Sequence, residues 1–222
     1  MDFTIKIDLL SDAIFGNGQS VAGFIDADVQ HDDWGFPYLG GKTFKGKMAE
    51  MAAALVVISQ SNPALKDKAD QLASARDRLF GTEGQYQTGK LFFSDCEMAE
   101  DVRRTFRYYM DQEHKIKPLE VLEALTYVDM QTSIDEETGI AKEGSLRNFR
   151  VMGRGVSLYC QVHTDHELDD NEKFLIGASC RMLKHLGMQE TKGKGQVELS
   201  LNINQTNMTD LWIDSVMKGA KR

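Results

Sequence analysis

"DDNEKFLIGASCRMLKHLG" (169–187) followed by "QVELSLNIN" (196–204) decides the fold. The first stretch reads as a helix from its punctuation. Asp169 and Asp170 stand at its start, Lys184 and His185 near its end, and Gly187 after it, the order that the helix dipole and a glycine stop favour. The second stretch alternates Val197, Leu199, Leu201 and Ile203 with polar residues, the period of a half-buried strand. Just upstream, "GVSLYCQVH" (155–163) alternates Val156, Leu158, Cys160 and Val162 in the same way. The last third is therefore strand, helix, strand.

The N-terminal half repeats that order more loosely. Phe3, Ile5, Ile7 and Leu9 alternate with Thr4, Lys6 and Asp8 as a first strand. A loop-rich stretch follows over 11–42, with Gly16, Gly18, Gly23, Gly35, Gly40 and Gly41. A helix is expected from about Thr43, its buried face carrying Met48, Met51, Ala52, Leu55 and Ile58. A second helix is expected to be capped by Asn62, to begin at Pro63 and to stop at Gly81, with Leu65, Leu72 and Leu79 as its stripe. "GKLFFSD" (89–95) reads as a short strand, 97–112 as a helix and 124–133 as a strand, before the polar "TSIDEETGIAKEGS" (132–145). Two such halves predict one α+β ferredoxin-like domain of the split βαβ kind over 1–222. Its long insertions are approximately 11–42 and 130–150.

The bulk composition narrows the classes. The chain has 222 residues, 41% of them hydrophobic and 27% charged, enough to bury a core without disulfides. No apolar run approaches the ~20 residues of a membrane span. "MDFTIKIDLL" (1–10) lacks a basic segment leading into an apolar one. Cys96, Cys160 and Cys180 are an odd number and show no Cys-x-x-Cys spacing, against a disulfide framework or a structural zinc. The expected location is the cytoplasm, with no membrane contact. The net charge of −8 weighs against nucleic acid, although a local basic surface counts for more at a Debye length of ~8 Å.

Four segments carry candidate chemistry. "GFPYLGGKTFKGK" (35–47) is rich in glycine, contains lysine and no acid, and leads into a helix. Backbone amides at a helix N-terminus, with Lys42, Lys45 and Lys47 beside them, can hold phosphate; the plain alternative is a turn with solvated lysines. "GFIDADVQHDD" (23–33) gathers Asp26, Asp28, Asp32 and Asp33 around His31, a divalent-ion or acid–base candidate, or simply a solvated loop. "HTDHELDD" (163–170) offers His163, Asp165 and His166 as part of a hydrolase metal site, but the remaining ligands have no counterpart. "ETKGKGQVEL" (190–199) is a second acid-poor glycine–lysine loop, with Lys192 and Lys194.

Taken in order, these segments resemble the RAMP superfamily of CRISPR-associated proteins, most closely the repeated backbone subunit of type III effector complexes. "SDAIFGNG" (11–18), "GFIDADVQHD" (23–32), "GFPYLGGKTFKGKM" (35–48), "RLFG" (78–81), "GKLFFSD" (89–95), "TSIDEETGIAKEGSL" (132–146) and "LGMQETKGKGQVEL" (186–199) each resemble a family element, over nearly the whole chain.

The resemblance implies a modified RRM-like domain whose copies stack in a filament along a guide RNA, beside other CRISPR effector subunits. It implies a thumb-like β-hairpin, with Thr132, Ile134, Thr138 and Ile140, that splays the duplex of guide and complementary target RNA. Ser11, Lys42, Thr43, Lys45, Lys47, Lys192 and Lys194 would contact RNA. Asp26 would be the catalytic carboxylate of metal-dependent cleavage and a ligand of Mg or Mn, with Asp28, Asp32 or a phosphate oxygen completing the site. The chain departs from the family pattern with Asp28 and Gly40 where proline is usual, Lys42 for serine and Ala49 for arginine. A scaffold without cleavage, a small-substrate hydrolase built on His163, and a guide-processing ribonuclease that relies on histidine remain the alternatives.

Overall fold

The computed structural model describes residues 1–16, 18, 25–63, 65–82, 89–113, 116–135 and 137–217. Gly23 and Glu136, which the sequence reading placed in the acidic loop and the hairpin, lie outside them. Five strands form one antiparallel sheet: β1 (Asp2–Leu9), β2 (Phe92–Phe93), β5 (Ser157–His163), β6 (Val197–Ile203) and β7 (Thr206–Asn207). Their order is β2-β5-β1-β6-β7. The helices α1 (Gly41–Ser61) and α2 (Ala69–Phe80) join β1 to β2 across β5, and α5 (Asp170–Met182) joins β5 to β6 across β1. Each crossover skips one strand, the split βαβ arrangement of a ferredoxin-like domain.

The alternation read from the sequence sets the sheet's register. Ile5 lies opposite Cys160 and Leu201, and Ile7 opposite Leu158 and Leu199. All six are buried beneath the helices, so a one-residue slip would expose the whole set. Phe3 meets Trp212 of α6 (Thr209–Met217) edge-on at 5.3 Å. Asp169 and Glu172 close a capping box at the start of α5, and the buried Glu172 also accepts from Arg78 Nε of α2 at 2.8 Å. Burial alone would raise the Glu172 pKa; the Asp169 N–H and the Arg78 guanidinium outweigh it and hold the carboxyl below its usual range. The three cysteines are free and buried.

Several boundaries differ from the sequence reading. Helix α1 starts at Gly41 rather than Thr43 and ends at Ser61. Asn62 is its C-terminal cap, not the start of the next helix: its N–H donates to Ile58 O at 3.0 Å and its backbone is extended, as a residue before proline prefers. A 3-10 turn (Lys66–Lys68) intervenes, and α2 begins only at Ala69. The stop at Gly81 holds, at φ 87°. The expected strand over 124–133 is the end of a helix, α4 (Pro118–Leu125), and then β3 (Thr126–Gln131). Proline at the first turn of α4, and Glu120 accepting from the Lys117 N–H at 2.7 Å, explain that helix.

Two insertions rest on this body. Helix α3 (Glu100–Glu113) and α4 close a small apolar cluster of Phe36, Met110 and Val121 over the loop before α1. Strands β3 and β4 (Arg147–Met152) pair antiparallel from Thr126–Met152 to Gln131–Arg147 as a separate two-stranded sheet. An Ile134–Ala141 bridge extends this hairpin toward its tip.

Candidate nucleic-acid interface

Three stretches that are far apart in sequence meet beside the first turn of α1. The Met188 N–H donates to Ile14 O at 3.0 Å, and the Gly195 N–H to Asp12 O at 2.7 Å. Gly187 (φ 100°) permits that approach, because a Cβ there would lie 2.6 Å from Ile14 O. The result is a cleft of about 330 Å³ lined by Phe15, Gln30, Thr43, Lys47, Gly187 and Met188. It joins the early loop, the start of α1 and the C-terminal glycine loop.

At the mouth of α1, Lys42 and Thr43 are exposed. The preceding amides are already used: Gly40 N–H donates to Gln30 Oε1 at 3.1 Å and Gly41 N–H to Asp95 Oδ1 at 2.7 Å. Gly41 has no room for a side chain, since a Cβ would lie 2.4 Å from Ser94 O. Lys45 donates to Leu91 O at 2.8 Å, and burial pushes its pKa down; it ties α1 to the strand region rather than facing solvent. Lys47 lies 3.3 Å from Glu50 and 3.7 Å from Glu190. Lys42 has no ion-pair partner among the described residues.

In the glycine loop, Lys192 donates to Gln131 Oε1 at 3.3 Å and is otherwise exposed. Lys194 is withdrawn, 3.0 Å from Asp129 and 3.7 Å from Asp12. Ser11 Oγ accepts the Gln196 N–H at 2.9 Å. Of the expected RNA contacts, Thr43 and Lys47 line the cleft, Lys42 and Lys192 are exposed, and Ser11, Lys45 and Lys194 bond within the protein.

Asp26 lies at the root of the hairpin. Its N–H donates to Asn148 O and its Oδ2 accepts the Asn148 N–H, both at 2.8 Å. Arg147 approaches Oδ1 at 3.7 Å, and the side chain is 41% exposed. Asp28 and Asp32 do not join it. Asp28 Oδ1 accepts from the Val29 N–H and from Arg150 Nε, each at 2.9 Å. Asp32 Oδ1 accepts the Trp34 and Phe36 N–H groups at 2.9 Å, and its Oδ2 takes Arg103 Nη2 at 2.7 Å. Asp28 thus ties the loop to β4, and Asp32 holds its own turn to Arg103 of α3. Among the described residues no three His, Cys, Asp or Glu side chains come together to hold a metal ion. Among the described residues the protein alone therefore offers no three-ligand cage for Mg or Mn.

The hairpin tip combines local ties with exposed apolar groups. Thr132 Oγ1 lies 2.8 Å from Ser145 Oγ, and Thr138 Oγ1 donates to Asp135 Oδ1 at 3.1 Å. Ile134 and Ile140 are 63% and 68% exposed. The histidine cluster is closed on itself. His163 Nδ1 and Nε2 lie 2.5 and 2.6 Å from Asp2 and Asp165, and His166 bonds Thr164 and Glu172. The Asp2 and then the Asp165 carboxylate raise the His163 pKa. Each ring nitrogen of the two histidines thus has a hydrogen-bond partner, and among the described residues no group of three metal ligands forms around them. Sequence reasoning missed Asn148, Arg147 and Asp95, whose partners are remote along the chain and leave no local signal.

Comparison with known proteins bears on the fold. A search of curated proteins finds no match. Among solved structures, a chain of the apo type III-B Cmr-beta complex aligns with a TM-score of 0.65 at 14% identity, covering 93% of this chain and 99% of that one. A chain of type III-B Cmr-beta bound to cognate target RNA gives 0.60 at 15% identity, covering 90% and 97%. A chain of a type IV-B CRISPR complex gives 0.58 at 16%, covering 93% and 92%. The RAMP superfamily profile matches residues 6–198. With that match running from the first strand into the last core strand, the chain belongs to the RAMP superfamily.

Proposed function

We propose that the chain is a guide-RNA-binding backbone subunit of a type III CRISPR effector complex, and that it cleaves complementary target RNA beside Asp26. The carrying observation is that a fixed, half-exposed carboxylate stands at the root of a hairpin whose tip bears two exposed isoleucines. Copies would stack along the guide. Phosphates would meet Lys42, Lys47, Lys192 and the first turn of α1 without regard to sequence, leaving base pairing to read the target. Ile134 and Ile140 would wedge between bases. The Asn148 N–H fixes one Asp26 oxygen, leaving Oδ1 to accept a proton or hydrogen bond from an attacking hydroxyl. Arg147 would steady the charge on the scissile phosphate. Any Mg or Mn would have to draw most of its ligands from RNA and water.

Asp26→Asn in the assembled complex tests this. Target cleavage is expected to fall at least a hundredfold with RNA binding retained; wild-type cleavage by the variant would contradict it. A scaffold without cleavage is the second reading, favoured by the engagement of Asp28 and Asp32 elsewhere. It predicts no cleavage by either protein.

A further inference from the structure

One face of β3 carries Tyr127, Asp129 and Gln131, the alternate residues of the strand. Each reaches across to the body. Tyr127 Oη donates to Asp12 Oδ2 at 2.6 Å, and Gln131 Nε2 to Gln189 Oε1 at 2.9 Å. Between them, Lys194 of the glycine loop lies 3.0 Å from Asp129 and 3.7 Å from Asp12. Asp12 in turn accepts the Arg154 N–H at 3.0 Å, just beyond β4. The Lys194 side chain is only 16% exposed. It therefore joins three segments: the loop after β1, the hairpin and the C-terminal loop.

We propose that Lys194 is a positioning residue that locks the hairpin root onto the glycine loop, and is not a phosphate ligand. A cation already neutralised by two carboxylates and withdrawn from water has little left to offer a phosphate. Removing it would leave Asp129 facing Asp12 with only the Arg154 charge near Asp12 to offset the pair, and the hairpin would loosen. Supporting charges agree in direction. Burial works against the Lys194 ammonium, but Asp129, Tyr127 and Asp12 outweigh it and raise its pKa. The Gln131 amide and then Lys194 lower that of Asp129. Where the loop also meets guide RNA, which rests on the function proposed above, the same lock couples guide contact to hairpin placement.

The test is native-state hydrogen exchange on the full chain without RNA. It compares Lys194→Met, Asp129→Asn, the double variant and Lys194→Arg. Expected is roughly tenfold faster exchange of the β3–β4 amides in Lys194→Met, unchanged exchange in β1, β5 and β6, and recovery in Lys194→Arg. The double variant is expected to be no worse than the worse single one. Unchanged hairpin exchange, or effects that add in the double variant, would overturn the lock. A second arm measures binding of a single-stranded RNA oligonucleotide against salt. Lys194→Met is expected to keep the wild-type slope, whereas Lys42→Ala loses about one unit of it. A slope lowered by Lys194→Met would overturn the proposal. If no variant binds the RNA, the function proposed above fails and the exchange experiment still decides the lock.

Discussion

The sheet body and the hairpin are held by different forces. In the body, Ile5, Ile7, Leu158, Cys160 and Leu201 are fully buried beneath α1, α2 and α5. The hairpin exposes Met130, Ile134, Ile140 and Leu146 and buries Val151 and Met152 at the end of β4, and the rest of its root is fastened by hydrogen bonds and ion pairs to Asp12, Gln189 and Lys194. Apolar burial is insensitive to salt and acts as a fixed frame. A polar seam on a two-stranded sheet is weaker and adjustable, since such a hairpin is marginal on its own. A buried platform carrying an exposed hairpin is what the proposed insertion of Ile134 and Ile140 into a duplex would require.

The difference can be broken in order of effect. Ile5→Ala removes a fully buried side chain from the central strand and is expected to lower unfolding stability by about 2–5 kcal/mol, read by chemical denaturation. A smaller loss would mean that the core collapses around the gap. Raising salt from 0.05 to 0.5 M (~14 Å to ~4 Å Debye length) is expected to change hairpin amide exchange little and to leave β1 and β6 unchanged, because the Lys194–Asp129 pair, at 3.0 Å and largely buried, is shorter than either screening length. A severalfold change confined to the hairpin would show that solvent ions reach the seam.

The smallest effect is at the edge of the body, where His163 of β5 meets Asp2 of β1. The His163 pKa is raised above its unfolded 6.5. Its contribution is therefore fully present below pH 6.5 and lost as pH rises through the folded value. The protection of amides at the Asp2–His163 end of the β1–β5 pair, that is, exchange divided by its intrinsic pH-dependent rate, is expected to fall over that window, and His163→Gln to abolish the fall. A pH dependence surviving in His163→Gln would assign it to another group.

These contrasts also explain what was legible in the sequence. Period-two alternation is local, so β1, β5 and β6 could be read directly from residues such as Ile5, Leu158 and Leu199. Asn62 misled because asparagine caps either end of a helix, and only the Ile58 O bond shows which. The α4–β3 junction at Leu125 and Thr126 has no glycine or proline to mark it. In the site, composition pointed to the glycine–lysine loops, but not to which lysines were free. Lys45 and Lys194 are engaged by Leu91 and Asp129, remote along the chain. Asp26 is singled out as a catalytic candidate only by the family resemblance, and its hydrogen-bond partner Asn148 lies 122 residues away, beyond any local pattern.

The most direct test of the central claim is the nucleic acid that the chain carries. The chain would be expressed with its neighbouring genes and a repeat array, and purified in moderate salt. Nucleic acid extracted from the complex would be run on a denaturing gel with RNase and DNase controls. A discrete RNase-sensitive ladder with regular steps is the predicted result, the mark of subunits stacked along a guide. A well-folded complex carrying no RNA would contradict the account.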